Sequence, residues 1–141
     1  MSQRSAVIAA AWLEIVVGAI LLSAPGAPCL LLFAARPDGI GIPLARFAGI
    51  ALAALGIACL PTTAIAPPRN ALLGLFGFNL GAASLFVWVG VSTAWRGLLL
   101  WPGAALHAVI AIALLPLVTK KAGFAAHNLP LEENGSRGPT K

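Results

Sequence analysis

Four side chains in this sequence carry chemistry that is out of place. Glu14, Arg46, Asn79 and His107 each stand inside a run of otherwise apolar residues. An acid, an amide and an imidazole brought together away from water could hold a proton and orient a small molecule. An acid beside a guanidinium would instead form an ion pair that fixes which elements are neighbours. The simplest reading of Glu14 with Arg46 is that ion pair. Asn79 reads as a hydrogen-bonding link between helices, and His107, which shares a helical face with Gly103, Ala104, Ala111 and Leu114, reads as a packed imidazole. No nucleophile–base pair is legible, no phosphate-binding loop is present, and a single His without further ligands at metal spacing predicts neither a metal nor a cofactor.

The elements that must position these groups are four apolar runs, at residues 6–24, 44–60, 71–91 and 98–118. Each is long enough to cross the roughly 30 Å hydrocarbon core of a bilayer as a helix. At ~1.5 Å rise per residue, Glu14 and Asn79 both lie ~12 Å from the start of their runs, and His107 lies ~13 Å from the start of its own. With antiparallel neighbours the three fall at one depth, near the middle, while Arg46 is nearer the opposite end by roughly two turns at most. An acid at helix centre costs about 2.5–3.5 kcal/mol on the insertion scale. The nine Val, Ile and Leu residues of its run return roughly 3–5 kcal/mol. Insertion is therefore feasible, but Glu14 should be paired or protonated.

Composition agrees. Of 141 residues 60% are hydrophobic and only 9% charged, with a mean hydropathy of +0.95, whereas a water-soluble domain carries about a quarter charged residues. The basic balance, nine Lys and Arg against four Asp and Glu, is scattered between apolar runs and not gathered into a stripe, which excludes a nucleic-acid-binding surface. The first run exceeds the ~7–15 residues of a signal-peptide core and contains Glu14, so it reads as a retained helix. The expected fold is all-α: an integral membrane four-helix antiparallel bundle, followed by a polar tail over 119–141.

Between the runs, Pro25 and Pro28 end the first helix. The short apolar stretch from Cys29 to Ala35 reads as an interfacial helix. Cys29 and Cys59 fall toward opposite membrane faces and are expected to be free thiols. Gly18, Gly49, Ala53, Gly56, Gly77 and Gly81 are small residues at helical spacing, the pattern that lets membrane helices approach closely. Asn79 lies about 200° around its helix from Gly77 and Gly81, so amide and glycines face different neighbours. Trp88, Trp95 and Trp101 cluster around one turn and read as anchors at the headgroup level, whereas Trp12 is too deep for that role.

With four crossings both termini share a side. That side holds Arg4, Arg69, Lys120, Lys121, Arg137 and Lys141, against Arg36, Arg46 and Arg96 on the other. The positive-inside rule then places the termini in the cytoplasm, in an inner membrane.

Four short spans, an extended first outer loop and a basic cytoplasmic tail resemble the small DoxX-like membrane proteins. The acid, amide, His and tryptophans also loosely resemble the sterol-isomerase group of the EXPERA class. The resemblance lies in architecture over residues 6–118, and it carries no functional residue across.

Three functions fit. The small-residue faces point first to a non-catalytic accessory subunit that packs against other membrane helices in a homo- or hetero-oligomer. A second reading is a site that binds or isomerises a small hydrophobic ligand or lipid at Glu14, Asn79 and His107. It requires an intrabundle cavity of about 300 Å³ or more. A third is proton-linked transport by an oligomer.

Overall fold

The computed structural model describes residues 3–61 and 67–119. The polar tail beyond Thr119 lies outside the described residues. Five helices follow in chain order: α1 (Gln3–Ser23), α2 (Gly26–Phe33), α3 (Gly41–Cys59), α4 (Arg69–Ser92) and α5 (Leu100–Thr119). Among the described residues no strand occurs. α1, α3, α4 and α5 are each long and apolar enough to cross a membrane. Their outward faces are apolar too, with Phe47 and Ile112 each 70% exposed and Trp12 53% exposed. Apolar surface on that scale needs lipid as its solvent.

The four long helices form two pairs. α1 packs most extensively on α3, and α4 on α5, while contact between the pairs is much sparser. Small residues explain the first pair. A Cβ placed on Gly18 would lie 2.6 Å from the Gly49 carbonyl oxygen and 2.8 Å from the Ala53 nitrogen, and one on Gly56 would lie 2.5 Å from the Ala11 oxygen. The two backbones touch, so only glycine fits at these positions. In the second pair, Arg69 at the start of α4 donates from Nη2 to the Val118 carbonyl (3.1 Å). It satisfies one of the carbonyls that a helix C-terminus leaves open.

The pairs meet at the end where α1 begins and α5 finishes. There Val7, Ala10, Ala11, Cys59, Leu75 and Leu114 form one buried cluster drawn from all four long helices. Cys59 adds a hydrogen bond from Sγ to the Ala71 carbonyl (3.2 Å). Both cysteines are free thiols.

Toward the other end the pairs diverge, and α2 occupies part of the gap. The helix starts earlier than the sequence suggests, at Gly26, because Pro25 and Pro28 fit its first turn, where their missing N–H groups would be unbonded anyway. It stops at Ala34, which adopts a left-handed conformation (φ 54°) and bonds back to the Leu30 carbonyl. The α4–α5 connection is fastened to it by Gly97 N–H to Leu32 O (2.9 Å) and Leu99 N–H to Leu31 O (2.8 Å). Gly97 runs so close to the Leu31 and Leu32 backbone that a Cβ there would overlap it. Phe33 and Leu32 pack on a second buried cluster of Phe86, Val89, Leu100 and Ala104.

Candidate functional site

The helix axes bring three of the four sequence-flagged polar residues into direct contact. Glu14 on α1 and Asn79 on α4 are buried, at 1% and 0% exposure. Asn79 Nδ2 donates to Glu14 Oε1 (3.2 Å) and to the carbonyl of Leu75, one turn earlier on α4 (2.9 Å). His107 Nδ1 lies 2.7 Å from Asn79 Oδ1. A carbonyl can only accept, so the Leu75 contact fixes which end of the Asn79 amide is nitrogen. The amide oxygen then faces His107, which must donate from Nδ1–H. In the neutral ring this leaves Nε2 with a free lone pair. The imidazole is held from either side by edge-on contacts with Phe78 and Phe86, at centroid separations of 5.8 and 5.6 Å. Phe86 in turn meets Phe33 of α2 at 6.0 Å, so an aromatic row links α2 to His107.

Arg46 is not part of this group. It is exposed on the second turn of α3, and the partner of Glu14 is Asn79, so the expected Glu14–Arg46 ion pair is corrected. An arginine near a helix end reaches the headgroup layer more cheaply than it crosses apolar space to a buried acid.

Glu14 and His107 also line a cavity of about 830 Å³ between the two helix pairs. Its walls come from all five helices and are almost wholly apolar. Among its lining residues the side chains with polar atoms are Glu14, His107 and Cys29. Glu14 stands one turn beyond Ala10 and Ala11, and Asn79 one turn beyond Leu75, so the hydrogen-bonded group lies on top of the closed cluster. Glu14 and His107 line the cavity there, with Asn79 buried behind them. α2, with Cys29 facing inward, covers the far end. Among the described residues no buried side-chain nitrogen or oxygen lacks a partner, and Glu14 and His107 bond to protein only as stated above. The second carboxylate oxygen and Nε2 are therefore the polar atoms left to face the cavity.

The small residues divide by role. Gly18, Gly49, Ala53 and Gly56 lie in the α1–α3 contact. Gly77 and Gly81 do not pack on another helix: no atom lies within 4 Å of a Cβ built on either, and both line the cavity. Their expected helix-packing role is corrected, because the pairs have already separated at that height. Together with Ala45 and Ala48 they form small-residue parts of the α3 and α4 walls of the cavity. Trp88, Trp95 and Trp101 are all exposed at the end where α2 lies, with Trp101 stacked against the space beside Gly90.

Sequence reasoning missed Phe78 and Phe86, which hold the imidazole, and the inward face of α2. Leu, Phe and Ala at those positions look the same in the sequence whether they meet lipid, protein or a cavity.

The arrangement has a definite chemical scope. The carboxylate and the imidazole both abut the cavity, yet the amide between them cannot pass a proton along. Glu14 and His107 would exchange a proton only through a group seated in the cavity that touches both. The fold and site define a four-helix membrane bundle with a polar-floored apolar cavity. No protein-family model, curated protein sequence or solved structure matches the chain.

Proposed function

We propose that this protein binds a small lipophilic molecule taken from the bilayer, with its polar end on the Glu14–Asn79–His107 floor. The cavity itself carries the proposal. At about 830 Å³ it lies within the ~300–1,000 Å³ range of small-molecule sites, and it combines apolar walls with a few convergent polar groups. Small residues on its α3 and α4 walls, Ala45, Ala48, Gly77 and Gly81, leave room for such a molecule. The accessory-subunit reading drew on the small-residue faces of the second and third spans; the face on α3 is used inside the chain against α1, and Gly77 and Gly81 on α4 line the cavity. Architecture of the DoxX-like kind carries no residue roles, so the proposal rests on the cavity and not on that resemblance.

The same reading places the chain in an inner membrane with both termini cytoplasmic and α2 facing outward, supported by the excess of Lys and Arg on the terminal side. A membrane-impermeant maleimide applied to intact cells carrying Asp38→Cys, an exposed position between α2 and α3, tests that orientation, and labelling from outside beyond that of the native chain is the expected result.

The function is tested by native mass spectrometry of protein extracted in mild detergent, comparing the native chain with Gly81→Leu. A Cβ at Gly81 meets nothing within 4 Å, and the position lines the cavity, so the added side chain takes up cavity space. Retention of a lipophile by the native chain and its loss from the variant is the expected result. Equal retention by both, or none by either, would refute the proposal.

A further inference from the structure

The chemistry of the head group can be read from the hydrogen bonds that fix the floor. Building on the binding function above, we infer that the ligand is a neutral lipophile ending in a hydroxyl, which enters head-first and donates its proton to His107 Nε2 beside Glu14.

Leu75 O orients the Asn79 amide, and the amide oxygen takes the proton of His107 Nδ1. Nε2 is consequently an acceptor. The inner oxygen of Glu14 is occupied by Asn79, leaving the outer one. The cavity floor thus presents lone pairs, and no side-chain N–H among the lining residues answers them. An ether or ester has no proton to give Nε2 and leaves that acceptor unanswered whether or not Glu14 carries a proton, so the visitor has to bring a donor. A hydroxyl does so and still keeps an acceptor for Glu14 when that acid is protonated. A cationic head would have to shed its hydration to cross the acyl region, at a far greater cost than a hydroxyl does.

Direction follows from where polarity is absent. Between the floor and α2 the walls are formed by residues such as Val17, Leu21, Leu52, Ala82, Leu85 and Phe86. The apolar body of the ligand lies along them, with its far end under α2. Cys29, half-buried at that far end, is the nearest group to the tail.

The test uses three probes with one body and three heads: dodecanol, dodecyl methyl ether and dodecane, titrated into the full chain in nanodiscs. His127→Gln leaves His107 as the sole histidine, so nitrogen-15 spectra of labelled imidazole report on it directly. Dodecanol is expected to bind about ten-fold more tightly than the ether, the loss expected when a buried acceptor goes unanswered. It should also move the Nε2 resonance toward the hydrogen-bonded position, which the ether and alkane leave unmoved. His107→Phe should bring dodecanol down to the level of the ether without changing the ether. Equal binding of all three with Nε2 unmoved would overturn the head-group assignment while leaving a lipophile-binding cavity. Failure of all three to bind above a Gly81→Leu control would overturn the binding function as well.

Discussion

Replacing Asn79 by leucine removes the polar group that links Glu14 to His107 while keeping the number and branching of side-chain heavy atoms. Asn79 makes two hydrogen bonds to other helices, one to Glu14 and one to His107, and one to its own helix at Leu75. Interhelical hydrogen bonds in membrane proteins average about 0.6 kcal/mol and reach about 1.7. The two together are therefore worth about 1–3 kcal/mol. Their loss also strands Glu14, which is 1% exposed, and an unanswered buried polar group costs a further ~1–3 kcal/mol. The expected destabilisation is about 2–6 kcal/mol, read as a shift in the SDS-unfolding curve in mixed micelles and followed by tryptophan fluorescence.

A double-mutant cycle separates the two contributions. Glu14→Leu removes the acid that Asn79→Leu strands, so the double variant should recover at least ~1 kcal/mol relative to the sum of the single changes. Glu14→Gln should be close to neutral, because its amide oxygen can still accept from Asn79. If Asn79→Leu proves as stable as the native chain, or if the cycle is strictly additive, then Glu14 and Asn79 are not coupled and the floor described here does not hold.

The other expectations are more direct. Gly56→Leu should abolish the unfolding transition or shift it by several kcal/mol, since its Cβ alone would approach the Ala11 oxygen to 2.5 Å. Gly77→Leu, with open space around it, should leave the transition in place. Arg46→Gln should change stability by no more than ~0.5 kcal/mol, because the side chain is exposed and is not the partner of Glu14; a loss above 2 kcal/mol would reinstate the ion pair. Maleimide should modify Cys29 and spare Cys59, which is fully buried and bonded to Ala71. Burial pushes the Cys29 thiol above its ordinary pKa. Less thiolate is then present at neutral pH, and the labelling rate should keep rising beyond the pH at which a free thiol levels off.

The sequence made the four crossings legible because lipid demands uninterrupted apolar length, which is a one-dimensional property. The common depth of Glu14, Asn79 and His107 was legible for a similar reason: helix rise converts position into height without knowledge of packing. Neighbourhood was not. Arg46 and Asn79 are both plausible companions for an acid by residue type, and the choice between them depends on how far apart the helix pairs stand. Gly49 and Gly81 illustrate the same limit. Both are glycines within small-residue patterns, yet one is pressed against the Gly18 carbonyl and the other looks into a cavity. The difference is a matter of which pair each helix belongs to and how far along that pair the residue lies.

That distinction bears on how the floor works. The bond from Asn79 to Glu14 crosses from the α4–α5 pair to the α1–α3 pair, at the height where the two begin to part. The bond from His107 to Asn79 stays within one pair. Below them the pairs are held together by the buried cluster around Leu75 and Leu114, and above them by little except α2. Asn79 is thus a tie between the halves of the molecule as well as part of the site, whereas His107 faces the cavity without bridging the pairs. Changes at the two positions should separate in degree: Asn79 variants lose both interhelical bonds and binding together, whereas His107→Phe loses binding and only the one bond within its own pair, leaving the Asn79 oxygen unanswered, so its loss of stability is the smaller. A His107→Phe variant that unfolded as readily as Asn79→Leu would show the imidazole to be a packing element of the bundle, and the floor would then have no group committed to a ligand.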